Sequence, residues 1–116
     1  MNNYAIIFFK SSRGQELVKD FVRRQDRSTV SKTGRLIDML GKYGPNLGMP
    51  YSRYLGDGLY ELRIKAKNEV RIFYMCLTLQ KVVVILHAFN KRTQKLPQKE
   101  LLLARKRQKN WTKYNT

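Results

Sequence analysis

Three apolar runs crowd the second half of the chain: Leu59 to Ala66, Val70 to Leu77 and Val82 to Phe89. They are rich in Val, Ile, Tyr and Phe, which pack well on a pleated surface. Only short polar links separate them, with Lys67-Asn68 at the first join and Thr78 to Lys81 at the second. Links that short force successive strands to run antiparallel, because a parallel pair needs a crossover of about a dozen residues or more. The runs therefore predict a meander. Gly56-Asp57-Gly58 is a turn signal that places one more strand around Tyr54-Leu55.

The first half reads differently. Tyr4 to Phe9 is short, aromatic and β-branched, and predicts a buried strand. Ser12 and Gln15 have the spacing of a capping box. Leu17, Val18, Phe21 and Val22 then recur at helical spacing, with Glu16, Lys19, Asp20 and Arg23 turned to water, and the pattern ends near Arg24 to Asp26. A second helix is expected from Ser28, burying Leu36, Ile37 and Leu40 and stopping at Gly41, Gly44 and Pro45. Pro97 suits the first turn of a last helix with apolar positions at Leu101, Ala104 and Trp111. The expected fold class is α+β over residues 1–116 as a single domain. An N-terminal strand and two helices pack on an antiparallel sheet of four or five strands, with a C-terminal helix.

Composition narrows the function. Lys plus Arg number 24 against 8 Asp plus Glu, a net charge of +16. That balance implies a polyanionic partner, nucleic acid first, or else an acidic partner protein. One cysteine, Cys76, excludes an intramolecular disulfide and a cysteine zinc cluster, and one histidine, His87, leaves a Ser-His-Asp triad or a His-rich metal site almost nothing to work with. Cys76 sits in an apolar run and is read as buried and inert. No signal peptide or bilayer-spanning run is evident, so the expectation is a cytoplasmic protein without membrane contact.

Alternation along the Leu59 strand puts Leu59, Glu61, Arg63 and Lys65 on one face and Tyr60, Leu62 and Ile64 on the other. The charged face is either a solvated outer face or a basic groove for phosphates. Arg71 opens an otherwise apolar strand, where it can pair with Glu61 or join Arg63 in a cation cluster across the hairpin. Residues 91 to 113 hold nine basic groups and one acid, Glu100. Arg105 to Lys109 read as a solvated face, whereas Lys91 and Arg92 stand at a strand end, where a sheet can aim them at a ligand. Val83, Ile85 and Phe89 share the strand parity of His87, which favours a packed, hydrogen-bonded histidine over a catalytic one.

Leu55 to Arg63 with its Gly-Leu-Tyr-Glu-Leu-Arg strand, the Arg71-Ile72-Phe73-Tyr74 strand and the His87 to Pro97 segment resemble the RelE/ParE toxin superfamily. Within it the chain is most similar to HigB-type, phage-derived toxins, from Leu55 to Ala104. The resemblance implies a RelE-like fold and the toxin of a type II toxin–antitoxin pair. Such a toxin enters the ribosomal A site and cleaves mRNA there with no cofactor and no metal. It also implies a cognate antitoxin, a helix-turn-helix protein of HigA type. By the same resemblance Arg63, Arg71, Lys91 and Arg92 are the catalytic positions, and Lys65, Lys67, Lys95 and Lys99 are expected to contact RNA. Arg92 stands where the close branch has a second lysine, so its cation persists without a proton to release. No tyrosine follows Arg92 in the segment where some relatives use one. Lys91, Lys65, Glu61 and His87 remain for the proton transfers. ParE-like relatives, which bind DNA gyrase without nuclease chemistry, and a plain RNA- or ribosome-binding module are the alternatives.

Overall fold

The computed structural model describes residues 3–115. Four strands form the expected meander: β2 (Ser52–Gly56), β3 (Leu59–Lys65), β4 (Glu69–Leu77) and β5 (Val82–Asn90). Each pairs antiparallel with the next. A first strand, β1 (Ala5–Phe8), pairs with β5, so the sheet order is β1-β5-β4-β3-β2. That pairing is parallel, so the expected antiparallel sheet holds for β2 to β5 and carries one parallel edge strand. Two helices separate β1 from the meander, and a crossover of that length lets the chain return in the same direction. As an edge strand β1 is only partly buried, not buried as its apolar run suggests.

Helices α1 (Leu17–Arg23) and α2 (Arg27–Tyr43) cover one face of the sheet, and α3 (Gln98–Asn115) covers the other. Strand alternation sorts the core into two layers. Leu62, Ile64, Ile72, Tyr74, Val83 and Ile85 meet Val18, Leu36 and Leu40 from the first helices. Leu59, Phe73, Met75, Val84, Leu86 and Phe89 meet Ala104 of α3, with Leu101 and Trp111 at the margin. Tyr74 is fully buried, and its hydroxyl is satisfied by the Ser52 hydroxyl. Burial holds that phenol protonated by pushing its pKa well up. The same cause lifts the half-buried Cys76 thiol to about 12, so it stays protonated. No helix among the described residues is long and apolar enough to cross a membrane.

The helix termini show where local chemistry departed from the sequence pattern. Ser12 and Gln15 form no capping box. Instead the Ser11 hydroxyl accepts from the backbone N–H of Arg13 and Gln15, and α1 starts after Glu16 without a side-chain cap. α2 is capped by Asp26, whose carboxylate accepts from the N–H and hydroxyl groups of Ser28 and Thr29. Asn68, at the β3–β4 hairpin tip, donates to the same Asp26, which ties that tip to the start of α2. At the other end, Gly44 has φ of 54°, and a Cβ there would collide with the Tyr4 ring.

Hydrogen bonds from the Ser28 and then the Thr29 hydroxyl hold the Asp26 carboxyl down at about 2, against an ordinary 3.8. Its folded value is depressed, so its contribution is present above pH 3.8 and lost as pH falls toward 2. Asp26→Ala is expected to lower the melting temperature at pH 7, and the gap to wild type should close as the pH falls to about 2. A gap of constant size across that range in a thermal melt series would contradict this account.

Candidate active site

Register brings the charged residues together. In the β3–β4 ladder Arg63 lies directly opposite Arg71, and Lys65 directly opposite Glu69. Beyond β5 the chain turns back over the same end of the sheet, and the Lys91 N–H donates to the Glu69 carbonyl at 2.9 Å. Lys91 Nζ donates to the Gln94 carbonyl at 3.1 Å, which closes the loop on itself. These segments wall an open concavity of about 520 Å³, lined by Arg63, Lys65, Glu69, Arg71, Lys91, Arg92, Thr93 and Gln94. No α3 residue lines it.

The four positions expected to be catalytic, Arg63, Arg71, Lys91 and Arg92, thus share one cavity, and Lys65 joins them. Lys67, at the hairpin tip, and Lys95 and Lys99 are exposed and lie outside its lining. The sequence left open whether Arg71 pairs with Glu61 or clusters with Arg63, and the structure shows both. Arg71 is 2% exposed, with Nη2 3.2 Å from Glu69 Oε1 and Nη1 3.9 Å from Glu61 Oε1.

Glu61 does not sit on a solvated face: it is 1% exposed beneath three guanidiniums, those of Arg53, Arg63 and Arg71. Two arginines directly opposite on one sheet face repel each other. A buried carboxylate between them offsets that repulsion and keeps the cluster compact. Glu61 Oε2, Arg63 Nε and Arg71 Nε are buried with no hydrogen-bond partner among the described residues. The cluster is held by charge rather than by saturated hydrogen bonding.

His87 lies elsewhere. The β4–β5 ladder carries a bulge: Phe73 pairs with His87 but Tyr74 pairs with Ile85, which leaves Leu86 as the extra residue. Parity therefore switches, and His87 does not share a face with Val83 and Ile85 as the strand pattern suggests. Its side chain meets α3, with Nε2 2.8 Å from Glu100 Oε1 and Nδ1 3.4 Å from Arg107 Nη1. It stacks near the Phe89 ring at 6.0 Å. Burial lowers its pKa below 6.5 and outweighs the nearby Glu100 carboxylate. The packed, hydrogen-bonded reading of His87 holds.

Arg105 and Arg107 do not form a solvated face. Arg105 Nη1 donates to the Gly56 carbonyl at 3.0 Å, and Arg107 Nη1 donates to the Leu86 carbonyl at 2.8 Å. With Gln108, which donates to the Asp57 carbonyl at 2.8 Å, they fasten α3 to the β2–β3 turn and to β5. Among the described residues no three His, Cys, Asp or Glu side chains gather where a metal ion would be held.

Sequence reasoning passed over Glu69. The signal available was its place beside the Lys67-Asn68 tip, where a hairpin with Arg63 opposite Arg71 must set Glu69 opposite Lys65.

The chain is thus an α+β protein with a basic concavity at one end of its sheet. The family model for phage derived Gp49-like proteins (DUF891) matches residues 20–109, a span that includes every residue of the concavity. The chain belongs to that family, whose members are RelE-like and toxin-like. No curated protein matches the sequence.

Two outcomes follow from the charges. Arg71→Met leaves Glu61 buried beside fewer cations and should destabilise the fold by roughly 3–5 kcal/mol in urea unfolding. The Arg71→Met, Glu61→Met double variant should recover much of that loss. Equal destabilisation in both variants would show that the guanidinium, not the charge balance, is what matters. For His87, the folded value lies below 6.5, so the unfolded chain binds the extra proton in that window. Stability should fall as pH drops below 6.5, and His87→Gln should flatten that slope, because this is the one histidine of the chain. A slope unchanged in the variant would assign it to other groups.

Proposed function

We propose that this chain is a HigB-type toxin of a type II toxin–antitoxin system, a ribosome-dependent endoribonuclease that cleaves mRNA in the A site. The observation that supports this most is the convergence of cations from three segments on one open, polar concavity in a chain of net charge +16. Family membership agrees with it at the level of a toxin-like protein. Cleavage of RNA by its own 2′-hydroxyl builds negative charge on a five-coordinate phosphorus. Cations already in place lower that barrier without reorganising. Arg63 and Arg92 suit the role, because a guanidinium stays charged and binds two phosphate oxygens at once. Arg63 retains 24% exposure, whereas Arg71 at 2% stands behind it as support.

The same net charge suits capture by an acidic helix-turn-helix antitoxin, because complementary fields speed encounter. Lys65 and Lys67, with Lys95 and Lys99, then extend the basic surface along which RNA is held.

Inducible expression in a bacterium, with primer extension on an abundant transcript, tests the proposal. Cuts within translated codons should vanish when translation of that transcript is blocked. Arg63→Ala and Arg92→Ala should each slow cleavage by about 10²–10³-fold while the protein stays folded. Co-expression of the acidic partner should restore growth. Arrested growth with intact mRNA would favour a gyrase-binding toxin, and unimpaired growth would favour a plain RNA- or ribosome-binding module.

A further inference from the structure

We propose that Glu69 is the general base of this site and that Arg71 is the residue that positions it. The assignment rests on the endoribonuclease reading. Five cations and one carboxylate line the concavity, and that carboxylate is Glu69. Transesterification needs a group that removes the 2′-hydroxyl proton. Arginine does not serve, since it keeps its own proton, and a lysine ammonium has no lone pair to offer. Glu61 is 1% exposed beneath three guanidiniums. His87 lies outside the cavity, between Glu100 and Arg107.

Glu69 differs from all of these. Its side chain is 36% exposed, and its Oε1 is held 3.2 Å from Arg71 Nη2. A carboxylate paired through one oxygen keeps its second oxygen with which to accept a proton. Arg71, with 2% exposure, offers almost no surface to a phosphate. Its contact with the reaction runs through Glu69.

The base also stands next to an acid. The Glu69 carbonyl accepts the Lys91 N–H at 2.9 Å, so the backbone holds the two residues side by side. Glu69 takes the 2′-hydroxyl proton, the 2′-oxygen bonds to phosphorus, and the bond from phosphorus to the 5′-oxygen breaks. The departing 5′-oxygen takes a proton from the Lys91 ammonium. The products are a 2′,3′-cyclic phosphate and a 5′-hydroxyl, and exchange with solvent restores both residues.

The test is a single-turnover cleavage assay on programmed ribosomes, with affinity for a short RNA measured separately. Glu69→Gln should slow cleavage by about 10²–10⁴-fold. Its RNA affinity should equal or exceed wild type, because a negative charge has left a phosphate site. Glu69→Asp should keep part of the activity. The wild-type rate should be flat between about pH 6 and 9, where a carboxylate base is already ionised. A rate that climbs about tenfold per pH unit would place a lysine in that role and overturn the assignment. Cleavage by Glu69→Gln at the wild-type rate or faster would also overturn it, leaving Glu69 as a counterion to Arg71. If Glu69→Gln does not fold, the Glu69→Asp rate and the wild-type pH profile decide. Absence of cleavage by the wild type would instead overturn the endoribonuclease reading, and this assignment with it.

Discussion

The β3–β4 register is the constraint on which the rest of the molecule depends. Side chains alternate with a period of two, so a slip of one residue would turn every residue of a strand to the opposite face. In the observed register Leu62 and Ile64 meet Ile72 and Val70 beneath α2, while Leu59 meets Met75 beneath α3. The same register sets Arg63 opposite Arg71. An arrangement that stabilises two apolar layers thus forces two like charges together at the end of the sheet. Glu61 and Glu69 offset that repulsion, one from within the sheet face and one from the rim.

Where the site lies follows from how far α3 reaches. Its hydrogen bonds to the Gly56–Asp57 turn and to Leu86 hold it over the half of the face that carries Leu59, Phe73 and Met75. The other half, with Arg63, Lys65 and Arg71, has no helix above it and is walled by the 91–94 segment. Apolar side chains left in that position would expose a hydrophobic patch, whereas Lys65 and the 24%-exposed Arg63 keep part of their charge in water. The hairpin tip is steadied from the opposite side through Asn68 and Asp26. The concavity therefore rests on elements fixed at both faces, which suits a site whose charges must be in place before substrate binds.

The sequence made the meander and the three helices legible, because period-two alternation and short links leave few alternatives. Arg63, Arg71, Lys91 and Arg92 were instead grouped by the resemblance to RelE-like toxins, and the structure brings the four to one concavity. What the sequence hid were features decided by pairing across long separations. β1 carries no mark of the direction in which it will pair. The bulge at Leu86 re-aims His87 without any glycine or proline to announce it. Ser12 had the spacing of a cap, yet Ser11 made the local bonds, since either hydroxyl can close such a turn. Arg105 and Arg107 looked like solvent-facing charge because a carbonyl partner in a distant turn leaves no pattern in the helix itself.

The distribution of acids separates the overall charge of the chain from the charge balance of the concavity. Glu16 and Asp20 pair locally with Lys19 and Arg23, Asp26 caps α2, and Glu100 holds His87. Glu61 and Glu69 serve the arginine cluster. Most of the few acids are thus committed within the fold, and the excess of cations spreads over the rest of the surface. Mutual repulsion among those cations would be relieved by a docked polyanion, with release of its counterions. That contribution depends on total charge and falls with salt, whereas the concavity depends on the geometry of a few buried groups. Under the endoribonuclease proposal, salt should therefore govern how well the chain holds RNA far more than what it does to a bound strand.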